Sequence, residues 1–396
     1  MTNKGQGVDV MPPLEIYVHI PFCIKKCAYC DFLSAPSTAE EREAYVAALC
    51  REIESCGSRV EDFDVTSIFF GGGTPSLLDG AQMTRIMGKI RKNFRIAGDA
   101  EITVEMNPGT VTEDKLERYR QTGVNRLSIG LQSVHDDELK MLGRIHTYEE
   151  FLQSYRMARD AGFENINIDL ISAIPGQSPR SWQEALETVA ALKPEHISAY
   201  SLIIEPGTRF YEWYGEDDRR REAELPGEEE ERQMYRLTAE VLGKTGYKRY
   251  EISNYARDGH ECRHNLGYWD RVPYLGFGIG AASFFPESGG EPGKMTRFTN
   301  PETMQEYEES FQEKFKAPPL STEEEMEEFM FLGLRKIDGI SKEKFCGYFH
   351  VGIEEIYGEQ IEKLISLELL EEDGDAIRLT ERGIDVSNAV FVEFMF

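Results

Sequence analysis

The sequence lacks any apolar run long enough to cross a lipid bilayer. A membrane-spanning helix needs about 18 to 20 consecutive apolar residues, and the best candidate, residues 274–285, is short and interrupted by three glycines. The opening residues, MTNKGQGVDVMPP, also lack the apolar segment of a secretory signal. We therefore expect a cytoplasmic protein with no integral membrane segment.

Positive charge is scarce as well. Lys and Arg total 44 against 71 Asp and Glu, which gives a formal net charge of -27. Binding to nucleic acid or to an anionic membrane surface depends on positive potential, so the composition argues against both partners. Hydrophobic residues make up 40% and aromatic residues 11% of the 396 positions. That is enough for a large core, and it excludes a wholly disordered chain.

The cysteines are odd in number, seven in all, and a chain of this size does not need a disulfide scaffold. Three of them, Cys23, Cys27 and Cys30, are clustered in HIPFCIKKCAYCDF. In a reducing compartment such clustering indicates metal binding or redox chemistry. Three thiolates can hold three irons of a cubane cluster and leave the fourth iron open to a small molecule. Zinc is the alternative, with Asp31 or His19 as the fourth ligand.

Short β-rich runs alternate with helix-like segments over the first half of the chain. The runs span residues 14–20, 65–70, 100–106, 124–131, 164–171 and 196–202, and the helix-like segments span residues 39–56, 81–94, 114–122, 148–161 and 179–192. This alternation predicts six βα units around a parallel sheet. It leaves open whether the sheet is doubly wound or barrel-shaped, although a full closed barrel has eight such units.

Composition divides the whole chain into five segments. They are an N-terminal tail at 1–13, an α/β core at 14–214, a charged linker or helix at 215–232, a Tyr- and Gly-rich region at 233–320 and a C-terminal subdomain at 321–396. The last segment opens with STEEE, which predicts a capping box. It continues with a helix and a Gly-turned hairpin, which is typical of a winged helix. Its acidity argues against the DNA binding that this subdomain usually implies.

The C-x3-C-x2-C motif directly after the first strand, with Tyr29 before the last cysteine, resembles that of the radical S-adenosylmethionine (SAM) superfamily. The resemblance covers about residues 14–390. It implies an α/β fold, namely a partial (β/α)6 barrel followed by an α+β C-terminal region with the winged-helix-like subdomain. It also implies a [4Fe-4S] cluster held by Cys23, Cys27 and Cys30, with the amino and carboxylate groups of SAM on the fourth iron.

Polar residues at the ends of the predicted strands resemble those of the oxygen-independent coproporphyrinogen oxidase branch of that superfamily. Any one of them alone is more often an ordinary turn or strand-end residue, but several at one rim indicate a ligand site. By the resemblance, the cofactor-binding residues are Tyr17, Tyr29, Gly72, Gly73, Thr74, Glu105, Gln132, Arg144, Asp169 and Ile171.

The resemblance also implies a role for each of these residues. Tyr17 lies near the cluster and SAM, and the glycine loop that follows the second strand contacts the amino group of SAM. Glu105 and Asp169 bind the nucleoside. Gln132 contacts the cofactor, and Arg144 pairs with the methionine carboxylate, for which a guanidinium fork is well suited. Tyr29 and Ile171 flank the adenine.

Two features separate the chain from the decarboxylating enzyme of that branch. Phe32 stands where that enzyme has a further cysteine, and only 22 residues precede Cys23. The segment HNLGYW, residues 264–269, is instead similar to the HNxxYW signature of the haem-chaperone subfamily HemW. It makes His264, Tyr268 and Trp269 the candidate haem-binding residues.

Elementary chemistry is compatible with haem at HNLGYW. Imidazole commonly ligates haem iron, and aromatic rings can stack on a macrocycle. Arg263 and Arg271 could meet the propionates, and Cys262 is a possible second axial ligand. Without the resemblance, His264 is better interpreted as a hydrogen-bonded structural residue and Trp269 as a core residue.

The function that the resemblance implies is that of a haem chaperone. Such a protein binds haem and delivers it to recipient haemoproteins, with a [4Fe-4S] cluster, SAM and haem as its cofactors. We expect a monomer or weak dimer and assign no catalytic residue, since SAM cleavage stays open. The alternative is an oxygen-independent coproporphyrinogen III oxidase, which decarboxylates its substrate after hydrogen abstraction by the 5'-deoxyadenosyl radical.

Overall fold

The structure is a computed structural model that describes residues 11–287, 293–311 and 313–396. Residues 1–10 of the predicted N-terminal tail therefore lie outside the described residues. The strands are β1 Pro13–Ile20, β2 Asp64–Gly72, β3 Arg95–Met106, β4 Arg126–Gln132, β5 Ile166–Ser172, β6 His196–Ser201, β7 Lys248–Arg249, β8 Asn254–Ala256, β9 Tyr274–Phe277, β10 Ala282–Pro286, β11 Met295–Thr299, β12 Ile340–Ser341, β13 Leu370–Asp373 and β14 Ala376–Leu379.

The helices follow the strands of the core in alternation and then dominate the C-terminal part. They are α1 Ala39–Cys56, α2 Gly80–Asn93, α3 Glu113–Gln121, α4 Asp136–Met141, α5 Tyr148–Asp160, α6 Pro179–Ala191, α7 Arg209–Tyr214, α8 Asp218–Glu224, α9 Glu228–Lys244, α10 Arg263–Trp269, α11 Met304–Glu309, α12 Thr322–Gly333, α13 Lys342–Phe349, α14 Ile353–Ser366, α15 Glu381–Asp385 and α16 Ser387–Val392.

Local sequence explains where several helices begin. Thr38 caps α1 by accepting from the backbone N–H of Glu41, whose carboxylate accepts in return from the Thr38 N–H. Ser321 and Glu324 form the same reciprocal pair at the start of α12, which confirms the capping box predicted from STEEE. Each pair satisfies backbone donors that the first helical turn leaves without partners.

The six predicted strands form one parallel array in sequential order. Within the described residues, the large sheet has the strand order β11-β10-β9-β1-β2-β3-β4-β5-β6-β8-β7. A doubly wound sheet reverses direction at a switch point, whereas β1 to β6 advance in one direction, as they do in a barrel. β1 pairs with β9 and β6 with β8, so the cylinder stays open, and the predicted partial (β/α)6 barrel is confirmed.

The two faces of these strands differ in character. In β1, Leu14, Ile16 and Val18 are buried in the apolar core that the strands share with the surrounding helices. The alternate residues, such as Glu15 and Tyr17, lie opposite Ser67 and Phe69 of β2. A barrel interior usually holds branched apolar side chains. Here it is lined by polar groups, which leaves it chemically available for a site.

The C-terminal part has its own small core. β12, β14 and β13 form an antiparallel sheet, and a separate apolar cluster joins it to helices α12 to α16. The predicted Gly-turned hairpin is β13–β14, which confirms an α+β region after the barrel. The charged segment 215–232 contains α8 and the beginning of α9.

No helix among the described residues is both long and apolar enough to span a membrane.

Candidate functional site

The three motif cysteines lie on the loop that follows β1, and backbone hydrogen bonds hold this loop in place. The Cys23 N–H donates to the carbonyl of Ala35 at 3.0 Å, and the Ala28 N–H donates to Leu142 at 2.9 Å. The carbonyl of Ala28 accepts in turn from the N–H of Phe210 at 2.9 Å. The loop is therefore held by the segment between α4 and α5, which contains Leu142, and by the start of α7, which contains Phe210.

The thiols of Cys23, Cys27 and Cys30 are free and half-buried. The Thr74 hydroxyl donates to Cys23 Sγ at 3.5 Å, and Arg144 Nη1 donates to Cys27 Sγ at 3.6 Å. Burial, with a smaller contribution from the neighbouring thiols, raises the pKa of Cys30 to about 11. Hydrogen-bond donors already point at the sulfurs of Cys23 and Cys27, an arrangement that suits metal-bound thiolates.

The donor set fits a cubane cluster better than a zinc ion. Zinc needs four ligands around one point, at about 2.3 Å for sulfur, and no three His, Cys, Asp or Glu side chains of the described residues are grouped in that way. His19, the imidazole considered for zinc, is engaged by the Tyr17 hydroxyl at 3.1 Å and the Leu33 carbonyl at 2.9 Å. A cubane takes one thiolate on each of three irons, so its cysteines need not converge.

The glycine loop after β2 approaches the cysteine loop so closely that side chains are excluded. A Cβ on Gly73 would lie 2.7 Å from the carbonyl oxygen of Phe22 and 2.9 Å from its nitrogen. Gly72 has φ +107, which L-residues with side chains rarely adopt. The loop therefore brings its backbone and Thr74 to the side of Cys23.

Two half-buried carboxyl groups follow along the same rim. Glu105 at the end of β3 accepts from the N–H of Gly72 at 3.2 Å, and Asp169 of β5 accepts from Asn167 at 2.7 Å and Ser128 at 3.2 Å. Burial, reinforced by the charge of Asp169, raises the pKa of Glu105 to about 8. Burial also raises the pKa of Asp169. Each carboxyl keeps capacity to accept from a hydroxyl-bearing ligand.

Arg144 is held by acceptors that sequence reasoning missed. Its Nη2 donates to Asn107 Oδ1 and to the Gly130 carbonyl, both at 2.6 Å. Asn107 also donates to Thr74 at 2.8 Å and so ties the arginine to the glycine loop. The only sequence signal for Asn107 is its position just after β3. Gln132 at the end of β4 has φ 75, a strained conformation that is typical of functional sites.

One cavity of about 1,090 Å³ connects the cysteine loop to the C-terminal part of the chain. Its volume is at the upper end for small-molecule sites. Of the residues predicted from sequence, those that line the cavity are Cys23, Cys27, Tyr29, Cys30, Gly72, Gly73, Thr74, Glu105, Gln132, Arg144, Asp169, Ile171, Tyr268 and Trp269. Tyr29 and Ile171 also share an apolar cluster. Tyr17 packs beneath Gly71, outside the cavity wall.

The HNLGYW segment forms the short helix α10, which is inserted into the polar interior of the barrel. Gly267 packs directly on the carboxylate of Glu15, where any Cβ would collide with that group. His264 is 2% exposed, and its ring nitrogens bond to the Ser67 hydroxyl at 2.7 Å and the Tyr268 hydroxyl at 3.0 Å. Axial ligation by His264 would require one of these bonds to break.

The side chains next to this helix are also engaged. Arg263 pairs with Asp99 at 3.1 Å, and Arg271 pairs with Glu325 at 3.3 Å; neither arginine lines the cavity. Cys262 is fully buried, with its thiol 3.5 Å from Glu101. Because burial raises the pKa of Cys262, its thiol is held in the neutral form.

Comparisons with known proteins agree with this geometry. The model of the radical SAM superfamily matches residues 17–189, and that of the HemN C-terminal domain matches residues 320–386. The chain is 36% identical over 385 residues to a protein named heme chaperone HemW from Lactococcus lactis, covering 97% of each chain. The chain belongs to the HemW family of radical SAM proteins. Membership implies SAM and a [4Fe-4S] cluster as cofactors.

Other HemW proteins and a solved structure are similar over nearly the whole chain. HemW of Escherichia coli is 33% identical over 388 residues, covering 97% of this chain and 99% of the relative. The structure of coproporphyrinogen III oxidase (HemN) from Escherichia coli has a TM-score of 0.81 at 25% identity and covers 97% of this chain and 90% of that one. The HemW family thus shares its architecture with HemN.

Proposed function

We propose that this protein is a haem chaperone whose cavity holds both a SAM-binding [4Fe-4S] cluster and haem. The observation that carries the proposal is the continuity of the cavity, which runs from the three cysteines to Tyr268 and Trp269 of the HNxxYW helix. Family membership gives the same function, because the similar proteins are named heme chaperones. Haem bound at one end would be delivered to recipient haemoproteins.

The cluster end has the donors that the two cofactors require. Cys23, Cys27 and Cys30 would hold three irons, and Arg144 would face the SAM carboxylate while it stays anchored by Asn107. In the same cavity, Glu105 and Asp169 would accept from ribose hydroxyls, and Tyr29 with Ile171 would flank the adenine. When bound, the cluster supplies an open iron for SAM and electrons for its reductive cleavage.

The haem end is aromatic. Tyr268 and Trp269 line the cavity, and aromatic rings can offer flat apolar surface to a macrocycle. His264 would act behind them, because its hydrogen bond to Tyr268 fixes that ring. Its role as an iron ligand stays a prediction from the sequence.

A hemin titration tests the proposal. Anaerobically purified protein carrying its cluster is titrated with hemin and followed in the Soret band. We expect saturable binding that is weakened about tenfold or more in Trp269→Leu but unchanged in Tyr348→Leu, where an exposed aromatic ring of the C-terminal part is lost. Cys23→Ser should remove the iron–sulfur absorbance, and Cys346→Ser, at an exposed thiol, should not. Absence of hemin binding by the unsubstituted protein contradicts the proposal.

The structural similarity to HemN makes coproporphyrinogen oxidation the second candidate. That enzyme would form protoporphyrinogen when reduced protein, SAM and coproporphyrinogen III are mixed without oxygen. We expect no such product, because Phe32 occupies the position at which the decarboxylating enzyme has a further cysteine. Formation of the product, detected by fluorescence after oxidation, would establish the oxidase instead.

A further inference from the structure

Arg335 is a cation on the cavity wall with no carboxylate of the described residues within ion-pair distance. It lies two residues after the end of α12 and lines the cavity. Within the described residues its guanidinium forms no hydrogen bond or ion pair, and its Nε is buried without an acceptor. Arg335 itself is half-buried. In a chain with 71 acidic residues, a half-buried guanidinium without an anionic partner suits an anionic ligand.

Packing holds this guanidinium in a fixed orientation. Its carbon lies 4.6 Å from the ring centroid of Trp269 and 5.8 Å from that of Phe391. The chain at Arg335 is also fixed to the barrel region, since the Ile337 N–H donates to the Tyr250 carbonyl at 3.1 Å. A guanidinium that is preoriented in this way loses little conformational entropy on binding.

A second unpartnered donor is adjacent. The indole Nε1 of Trp269 is buried without an acceptor among the described residues, and its ring stacks on Arg335. Two other arginines that line the cavity already have partners. Arg144 donates to Asn107, and Arg232 forms an ion pair with Glu228. Two buried donors without acceptors therefore lie side by side where α10 meets the C-terminal part.

We propose that the Arg335 guanidinium, stacked on the Trp269 ring, forms a carboxylate subsite that binds a propionate of haem. This rests on the proposed function and adds the group that orients the macrocycle. The charge of Arg335 lowers the pKa of the buried Glu251 carboxyl, although burial raises that pKa by more. An incoming carboxylate would meet the guanidinium of Arg335 at the cavity wall.

Hemin and hemin dimethyl ester test the subsite, because the ester keeps the ring and the iron but lacks both carboxylates. We expect the unsubstituted protein to bind the ester about tenfold to hundredfold more weakly than hemin, the range for charge-assisted hydrogen bonds. Arg335→Met should weaken hemin binding by a similar factor and leave ester binding unchanged. Arg263→Met, the same change at a surface arginine paired with Asp99, should alter neither.

Each outcome decides the proposal. Equal affinity of the unsubstituted protein for hemin and its ester overturns the subsite, and this comparison needs no variant to fold. Equal weakening of both ligands by Arg335→Met overturns it too, because that result assigns Arg335 to packing alone. If hemin does not bind at all, the proposed function fails and the subsite fails with it. If hemin binds tightly but is insensitive to Arg335→Met, only the subsite fails.

Discussion

Replacing His264 by alanine should destabilise the fold. The imidazole is 2% exposed, and removing a fully buried ring costs about 3–5 kcal/mol in comparable cores. The hydroxyls of Ser67 and Tyr268 would each lose a partner, at about 1 kcal/mol apiece. We expect the free energy of unfolding to fall by about 5–7 kcal/mol, a large part of the roughly 5–15 kcal/mol that a domain has.

The pH dependence of the free energy of unfolding provides an independent measure of the contribution of His264 to stability. Burial lowers the pKa of His264 to about 3, below the value of about 6.5 for an unfolded chain. Protons then bind the unfolded state more strongly, so the contribution of His264 is complete above pH 6.5 and declines as the pH falls towards 3. Between pH 7.5 and 5.5 the loss is about 1.4 kcal/mol, and His264→Gln should abolish it.

Equilibrium urea unfolding at the two pH values checks both figures. His260→Ala is the matched control, since this histidine in the turn before α10 is only half-buried and should change stability by less than about 0.5 kcal/mol. The groups that face the His264 ring, and must stay unchanged across the series, are Glu15, Ser67, Phe69, Tyr17, Arg126 and Tyr268. If His264→Ala is as stable as the unsubstituted protein but has lost its haem spectrum, the reasoning is refuted and His264 is an iron ligand.

Two other substitutions have definite expected results. Gly73→Ala should lower iron incorporation by more than half at unchanged expression, because its Cβ collides with the backbone of Phe22; full iron content would show that the loops need not approach. Lys314→Met should lower the free energy of unfolding in urea by about 3–5 kcal/mol, because it leaves the buried carboxylate of Glu52 without its cation. In the structure the Lys314 ammonium lies 2.6 Å from that carboxylate, and both side chains are fully buried. A change below 1 kcal/mol would contradict that estimate, and Lys316→Met at an exposed pair is the control.

The barrel strands could be predicted because their signals are local. Residues 14–20 and 65–70 were expected as strands, and the structure has Pro13–Ile20 and Asp64–Gly72. β9 could not be predicted as a neighbour of β1, since four residues far along the chain have no local feature that specifies this pairing. The short helices α4 and α7 were also missed, because six residues give too little periodicity.

The candidate site also has residues that could be predicted from sequence and residues that could not. Strand-end residues such as Glu105 and Asp169 could be located from sequence because parallel strands bring their ends to one rim. The burial of His264 could not, since its partner Ser67 is 197 residues away. Arg263 was a reasonable candidate for a propionate by proximity to the motif, yet it pairs with Asp99. Arg335 could not be singled out from sequence, because its place in the cavity depends on the packing of the C-terminal part on Trp269.

These contacts suggest why an HNxxYW segment serves a haem chaperone better than a single exposed ligand would. Its first residue, His264, is anchored inside the barrel by Ser67, and Gly267 allows the helix to rest on Glu15. Its last residue, Trp269, is shared with the C-terminal part through Arg335. The segment therefore joins the barrel that would carry the cluster to the subsite that would hold haem.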